Sequence, residues 1–153
     1  MNKENKKIKH LWSLICTSSS VDKTSNNISL FNIIEQLNTT ITKDDMVKIG
    51  QKAVSIPINF EIVNQFEVLP KTNNFEIRLD IIDPSGICLT KTEHKIEIPN
   101  NSNAKNIRFI VKTNGIKITS TGKYNISVNI KEAGEKEFQV VYKIPLNINI
   151  IVK

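Results

Sequence analysis

The sequence has few of the residues that build most helices and most catalytic sites. Its 153 residues include two His, two Cys, five Gly and one Trp. Only two arginines, three alanines and eight leucines stand against 26 isoleucines, 19 lysines and 19 asparagines. Because Ala and Leu favour helices whereas Ile, Val and Thr favour strands, this composition predicts an all-β protein.

Long hydrophobic runs are lacking as well. No stretch approaches the roughly 18 apolar residues that a membrane-spanning helix needs. Near the N-terminus, the apolar stretch from Leu11 to Cys16 is short and a polar run follows it, which argues against a secretion signal. Without evidence for an oxidising compartment, we expect Cys16 and Cys88 to be buried free thiols. The sequence therefore predicts a cytoplasmic protein without membrane association.

The inventory of reactive groups argues against catalysis. A Ser/His or Cys/His pair would have to use His10 or His94. No serine stands in a Gly-x-Ser-x-Gly elbow, no glycine-rich loop could bind phosphate, and the cysteines do not have zinc-site spacing. Asp80 and Asp83 are too few for a calcium site, and residues 83–86 are typical of a β-turn. We predict no catalytic residue, cofactor, metal or small-molecule substrate, with a small hydrolase as a weaker alternative.

Apolar residues alternate with polar ones from His10 onward. The alternation is clearest over residues 54–68, 75–81, 124–130 and 138–152, with shorter runs at 96–98, 107–111 and 116–118. Such alternation places all apolar side chains on one face of a strand. Turn residues separate the segments, so we predict a single antiparallel β-sandwich of about eight or nine strands over residues 10–153.

Three local features refine this fold. Pro57 and Pro145 fall between apolar positions, which predicts sheet edges, bulges or a change of sheet at these points. Residues 28–37 fit a strand or a helix, and we favour the strand. Residues near 43–50 fit either a short helix capped by Thr42 or a surface loop.

The net charge of +6 would ordinarily suggest a nucleic-acid partner. Half of this charge lies in residues 1–10, which carry four Lys and one Glu. We interpret residues 1–9 as a flexible basic tail that would bind nucleic acid weakly at most. The aromatic residues fall in the apolar registers and are expected in the core: Phe60, Phe66, Phe75, Tyr124, Phe138 and Tyr142.

Three segments, HLWSLICTSSSVDKTSNNISLFNIIEQL, FEIRLDIIDPSG and TGKYNISVNIKEAGEKEFQVVYKIPLNI, resemble those of a family of uncharacterised bacterial proteins. These proteins are similar to small immunoglobulin-like β-sandwiches. The resemblance implies a fold and no activity. Tyr124, after Gly122 and Lys123, is similar to the tyrosine on the penultimate strand of immunoglobulin-type sandwiches.

The function predicted from these observations is a non-enzymatic interaction or structural module. Long strands with Asn-, Gln-, Ser-, Thr- and Lys-rich faces form flat surfaces that can donate and accept hydrogen bonds. An edge strand can also accept a strand from another chain. We therefore expect a protein partner or self-association, although the sequence does not indicate which residues bind.

Overall fold

The structure is a computed structural model that describes residues 6–49, 52–99, 103 and 106–153. It contains eleven strands and one short helix in these residues, where eight or nine strands were predicted. In chain order they are β1 (Ile8–Val21), β2 (Ile28–Ile33), β3 (Gln36–Ile41), α1 (Lys43–Ile49), β4 (Val54–Ile56), β5 (Phe60–Val68), β6 (Phe75–Ile82), β7 (Cys88–Ile96), β8 (Asn106–Thr113), β9 (Ile116–Ile118), β10 (Gly122–Glu132) and β11 (Gln139–Val152).

Two main sheets form a sandwich, as predicted. One has the strand order β2-β1-β5-β8 and the other has the order β3-β11-β10-β6-β7, while β4 and β9 form a two-stranded sheet. The pairing is antiparallel except between β3 and β11, which are parallel. The first five residues of the predicted tail lie outside the described residues. Strand β1 already begins at Ile8, whose side chain is buried.

The core lies between the two main sheets and consists mostly of the alternating residues identified in the sequence, joined by Ile8 and Ile15 of β1. Isoleucines dominate it, together with four aromatic residues: Phe60, Phe66, Phe75 and Tyr124. The prediction for the other two aromatics was wrong, because Phe138 is only partly buried and Tyr142 is exposed. Both lie near a register shift in β11, where the strand departs from regular alternation.

The uncertain N-terminal segments also have a clear outcome. Residues 28–37 are extended, as favoured, but they contribute to two strands in different sheets, β2 and β3. The predicted helix is α1, and the backbone N–H of Asp45 donates to Thr42 Oγ1 at 3.1 Å, as an N-cap requires. Among the described residues, no helix is long and apolar enough to cross a membrane.

Both prolines lie where a ladder hydrogen bond is not needed. Pro57 lies between β4 and β5, where the chain passes from the two-stranded sheet to a main sheet. Pro145 pairs with Asn125 of β10 on one side, and the pairing of β11 with β3 starts only at Asn147. The predictions of a change of sheet and a local edge are therefore confirmed.

The strand arrangement is immunoglobulin-like. Strands β11, β10 and β6 lie side by side as the G, F and C strands of that fold do, and β1, β5 and β8 match its A, B and E strands. Tyr124 lies on β10 and is fully buried, and its hydroxyl accepts hydrogen bonds from the backbone N–H groups of Thr119 and Ser120. This arrangement confirms the prediction that Tyr124 corresponds to the tyrosine on the penultimate strand of immunoglobulin-type sandwiches.

Candidate functional site

Strand β8 is a free edge of the four-stranded sheet. It pairs with β5 from Thr113 opposite Phe60 to Asn106 opposite Glu67, and no described strand lies on its other side. Its eight residues contain no proline or glycine, and none of them has a positive φ. The strand therefore presents a regular row of backbone groups to which another strand could bind.

The inward side chains of β8 face strand β7, which is the corresponding edge of the other sheet. His94 of β7 contacts Phe109 of β8 in an edge-on arrangement, with ring centroids 5.1 Å apart. This contact bridges the two sheets at one point along their open side. Toward the C-terminal end of β8, the space between the two edges is not filled.

An apolar cavity of about 510 Å³ occupies this space. Its floor is formed by core residues of the two sheets, Ile62, Leu79 and Ile81. Thr90 and Thr92 line it from β7, and Val111 and Thr113 line it from β8, while parts of β4 and β9 also contribute to the lining. Protein interiors are normally close-packed, so a cavity of this size is unusual. It is large enough to hold a ligand or side chains from a partner.

The outward side chains of β8 give this edge a positive charge. Arg108 and Lys112 both point to the outer face, with Ile110 between them. Arg108 donates from Nη2 to the carbonyl oxygen of Asn26 at 3.2 Å, which holds the β1–β2 turn over this face. The ammonium group of Lys112 lies 3.6 Å from Glu61, yet its side chain is 79% exposed. Its charge remains accessible to a partner.

Strand β7 has a different character. Three of its outward charges each lie opposite a residue of opposite charge on β6: Lys91 opposite Asp80, Glu93 opposite Arg78 and Lys95 opposite Glu76. Both edges carry charges, but the pairing of β7 with β6 contains a register shift between Thr90 and Cys88, whereas β8 pairs with β5 without a shift. A bulge of this kind hinders the addition of a further strand. Of the two edges beside the cavity, β8 is therefore the better site for an added strand.

His10, one of the two histidines considered for catalysis, lies close to a serine. Its Nε2 atom is 2.7 Å from Ser13 Oγ, and Ser13 Oγ is 2.7 Å from Asn64 Oδ1. A bulge between His10 and Trp12 brings His10 and Ser13 to the same face of β1, since regular alternation would separate them. The pair resembles the nucleophile and base of a hydrolase at first sight.

The direction of these hydrogen bonds differs from that of a hydrolase. Asn64 Nδ2 donates to the carbonyl oxygen of Phe109 at 3.3 Å, so Asn64 Oδ1 must accept the proton of Ser13. His10 Nε2 then donates to Ser13 instead of removing its proton. Burial lowers the pKa of His10, which is consistent with a neutral ring in this chain of hydrogen bonds.

The acidic residues Asp80 and Asp83 have structural partners. Asp80 lies 2.9 Å from Arg78 and also accepts a hydrogen bond from Asn129. Asp83 accepts hydrogen bonds from Ser85, Ile87 and Thr119, and the Asp83–Gly86 turn closes with a backbone bond of 3.0 Å. Burial alone would raise the pKa of Asp83, but these hydrogen bonds outweigh it and hold the pKa below its ordinary value. The described residues contain no cluster of three or more metal-ligating side chains.

The two cysteines differ from each other. Both are free thiols; Cys16 is fully buried, as predicted, whereas Cys88 is exposed at the start of β7, which contradicts its prediction. Burial, and secondly the nearby carboxylate of Glu61, raise the pKa of the Cys16 thiol. Cys16 is therefore an unreactive thiol in the folded protein.

Comparison with known proteins identifies the family of this chain. The model of DUF6941, a family of unknown function, matches residues 50–141. The chain belongs to this family. Its match covers strands β4 to β10, including β8 and every strand that lines the apolar cavity. None of the curated proteins matches the chain.

Solved structures with a similar fold are distant in sequence. The C-terminal domain of Wzt is 11% identical, with a TM-score of 0.56, over 94% of this chain and 74% of that chain. An immunoglobulin-like protein from Pseudomonas aeruginosa is 7% identical, with a TM-score of 0.39, over 95% of this chain and 99% of that chain. At these identities the first similarity shows the fold alone.

Sequence reasoning identified neither the free edge nor the cavity. Residues 107–111 were predicted as a short strand, but their position at the edge of a sheet depends on which strands pair across the whole chain. The one available signal is that Ile107, Phe109 and Val111 alternate with Arg108 and Ile110 without an interrupting proline or glycine. That pattern predicts a strand and does not distinguish an edge strand from a central one.

Proposed function

We propose that this chain is a non-enzymatic binding module that takes up an extended segment of a protein partner along β8. The partner segment adds a strand to the four-stranded sheet, and main-chain hydrogen bonds supply much of the affinity. The observation that carries the proposal is a regular, unpaired edge of eight residues beside an unfilled apolar cavity.

The other edges suit this role less well. Strands β2 and β3 are six residues long, and β2 contains Asn32 with a positive φ of 50°, which interrupts its regularity. Strand β7 has a register shift between Thr90 and Cys88 in its pairing with β6. Strand β8 combines the greater regularity with inward apolar side chains, namely Ile107, Phe109 and Val111.

The chemistry around β8 favours a particular kind of segment. Side chains of an added strand alternate between the two faces of the sheet. Those on the outer face would lie beside Arg108 and Lys112, which favours Asp or Glu. Those on the inner face would point into the space beside Val111, which favours apolar residues. The proposed partner segment therefore alternates acidic and apolar residues.

The hydrogen bonds of Ser13 support a binding module over a hydrolase, and the free cysteines support a reducing compartment. The proton of Ser13 is engaged by Asn64, so His10 is not oriented to activate it. The two cysteines are free, which is typical of cytoplasmic proteins. We therefore propose a cytoplasmic location.

The experiment uses a short synthetic peptide in which glutamate alternates with valine, with phenylalanine near its centre. Its affinity is measured by calorimetry, and amide hydrogen exchange locates the binding site. We expect added protection at β8 and little change at β2, β3 and β7. A peptide with lysine in place of glutamate serves as the matched control and should bind at least about tenfold more weakly.

Methylation of alternate backbone nitrogens of the peptide tests the strand geometry. Only every second N–H of a strand faces its neighbour, so methylation in one register should abolish binding and in the other register should be tolerated. Equal effects in both registers, or protection at β3 or β7 instead of β8, would overturn the proposal.

Three other outcomes would also overturn it. The first is a concentration-dependent dimer that protects β8 without peptide. The second is a change in elution with duplex DNA at low salt, lost on removal of residues 1–6, by a protein that binds no peptide. The third is turnover of ester substrates that is lost in Ser13→Ala. These results would favour self-association, nucleic-acid binding and hydrolysis, respectively.

A further inference from the structure

We propose that the cavity between β7 and β8 selects the partner by receiving two successive inward side chains of the added strand, at positions i and i+2, both large and apolar. This inference rests on the proposed function, because it names what the β8 edge recognises. The evidence is the volume of the cavity, its lining and the charge at its rim.

The lining of the cavity includes two successive inward residues on each edge. These are Thr90 and Thr92 on β7 and Val111 and Thr113 on β8, which are pairs of residues two apart on each edge. Residues i and i+2 on one face of a strand are roughly 7 Å apart. An added strand beside β8 would therefore place two consecutive inward side chains over the cavity.

The lining favours large apolar side chains. Ile62, Leu79 and Ile81 of the core form the floor, and Ile56 and Ile116 add further apolar lining. A volume of about 510 Å³ exceeds what a single small side chain would fill. Because an unfilled apolar space lacks dispersion contacts, filling it with a Phe together with a Leu, Ile or Val gains free energy.

Cations near the cavity extend the positive charge of the edge. Lys117 lies at the rim of the cavity. Lys112 directly precedes Thr113 in β8 and lies on the outer face of the sheet. A strand with two apolar residues separated by an acidic one would place its carboxylate on the side of Lys112. Charge and cavity therefore agree on a segment of the form apolar-acidic-apolar.

The experiment compares peptides that differ only at the two central inward positions. The parent peptide has Phe and Leu there, and in two variants each is replaced singly by Ala. We expect each replacement to lower the affinity about tenfold, as is typical of side chains that fill a pocket. Replacement of an inward residue near the end of the peptide, away from the cavity, should change the affinity less than about threefold.

A variant of the protein provides the reciprocal test. Thr92 lies opposite Leu79 and lines the cavity, so Thr92→Phe should fill it. The Thr92→Phe variant should bind the parent peptide and the two Ala peptides with equal affinity, so that the preference for Phe and Leu is lost. Glu93→Phe, which adds the same ring on the outer face of β7, should keep the preference. Urea unfolding of both variants checks that they fold.

The outcomes separate this inference from the proposed function. If none of the peptides binds, the proposed function fails. If the peptides bind at β8 with equal affinities whatever their central residues, the proposed function holds and the cavity does not select the partner. If Thr92→Phe folds and keeps the full preference for Phe and Leu, the cavity is likewise not the selecting pocket.

Discussion

The hydroxyl of Tyr124 donates to the carbonyl oxygen of Ser120 at 2.7 Å, across a turn of four residues. The same hydroxyl accepts from the backbone N–H groups of Thr119 and Ser120 at 2.9 and 3.1 Å. One buried side chain thus satisfies three backbone groups of the β9–β10 connection. Tyr124 therefore joins this turn to the core of the sandwich.

Replacement of Tyr124 by phenylalanine should destabilise the protein. The change leaves the backbone groups of Thr119 and Ser120 without this partner, and we expect a loss of about 1 to 3 kcal/mol in the free energy of unfolding. Urea denaturation followed by circular dichroism measures it. Tyr142→Phe is the matched control, because Tyr142 is 43% exposed. Equal stabilities of the two variants would contradict the role of the Tyr124 hydroxyl.

Much of the fold follows from local sequence. The alternation of Tyr124, Ile126, Val128 and Ile130 predicts a strand with one buried face, and β10 has that face. What the alternation does not contain is the partner of each strand. The local pattern of residues 28–37 therefore favours a strand without excluding a helix, and their division between two sheets depends on pairing with β1 and β11.

A glycine at the start of β10 should be sensitive to substitution. Gly122 has a φ of +148°, and a Cβ atom there would lie 2.9 Å from Pro84 Cγ in the neighbouring turn. Gly122→Ala should therefore lower the free energy of unfolding by about 2 kcal/mol or more, from backbone strain and the clash together.

Gly134→Ala separates these two causes. Gly134 has a φ of +94° but no atom within 4 Å of the added Cβ, so only backbone strain applies, about 1 kcal/mol. Urea denaturation compares both variants with the natural protein. If Gly134→Ala is the more damaging change, contact with Pro84 is not what requires glycine at position 122.

The two thiols should react at very different rates with a thiol-specific reagent such as Ellman's reagent. Cys88 is exposed, whereas Cys16 is 0% exposed and burial raises its pKa. We expect one thiol to react rapidly in the folded protein and the second only in denaturant. Cys88→Ser should abolish the rapid phase and Cys16→Ser should keep it. A rapid phase that persists in Cys88→Ser would contradict the burial of Cys16.

The candidate site was less predictable than the fold, for two physical reasons. A cavity forms where the side chains of different strands do not meet, and the local sequence patterns of β7 and β8 do not predict such a gap. The contact of His10 with Ser13 needs a bulge that inserts one residue into β1. Sequence alternation assigns these two residues to opposite faces, so the pair could be found only from the pairing with β5.

The pH dependence of stability should report on His10. Its half-buried ring stacks on Tyr142, with centroids 4.8 Å apart, and burial lowers its pKa in the folded protein below the ordinary value of 6.5. Below about pH 6.5 His10 is therefore protonated more fully in the unfolded chain than in the folded chain. The stabilisation is fully present above pH 6.5 and is lost as the pH falls toward the lower pKa of the folded state.

His10→Phe removes this titration while keeping a ring on Tyr142. Ser13 can still donate to Asn64 in this variant, so its fold should persist. We expect the natural protein to lose more stability than His10→Phe between pH 7.5 and pH 5, with urea denaturation at each pH as the measurement. Parallel curves for the two proteins would show that the pKa of His10 does not differ between the folded and unfolded states.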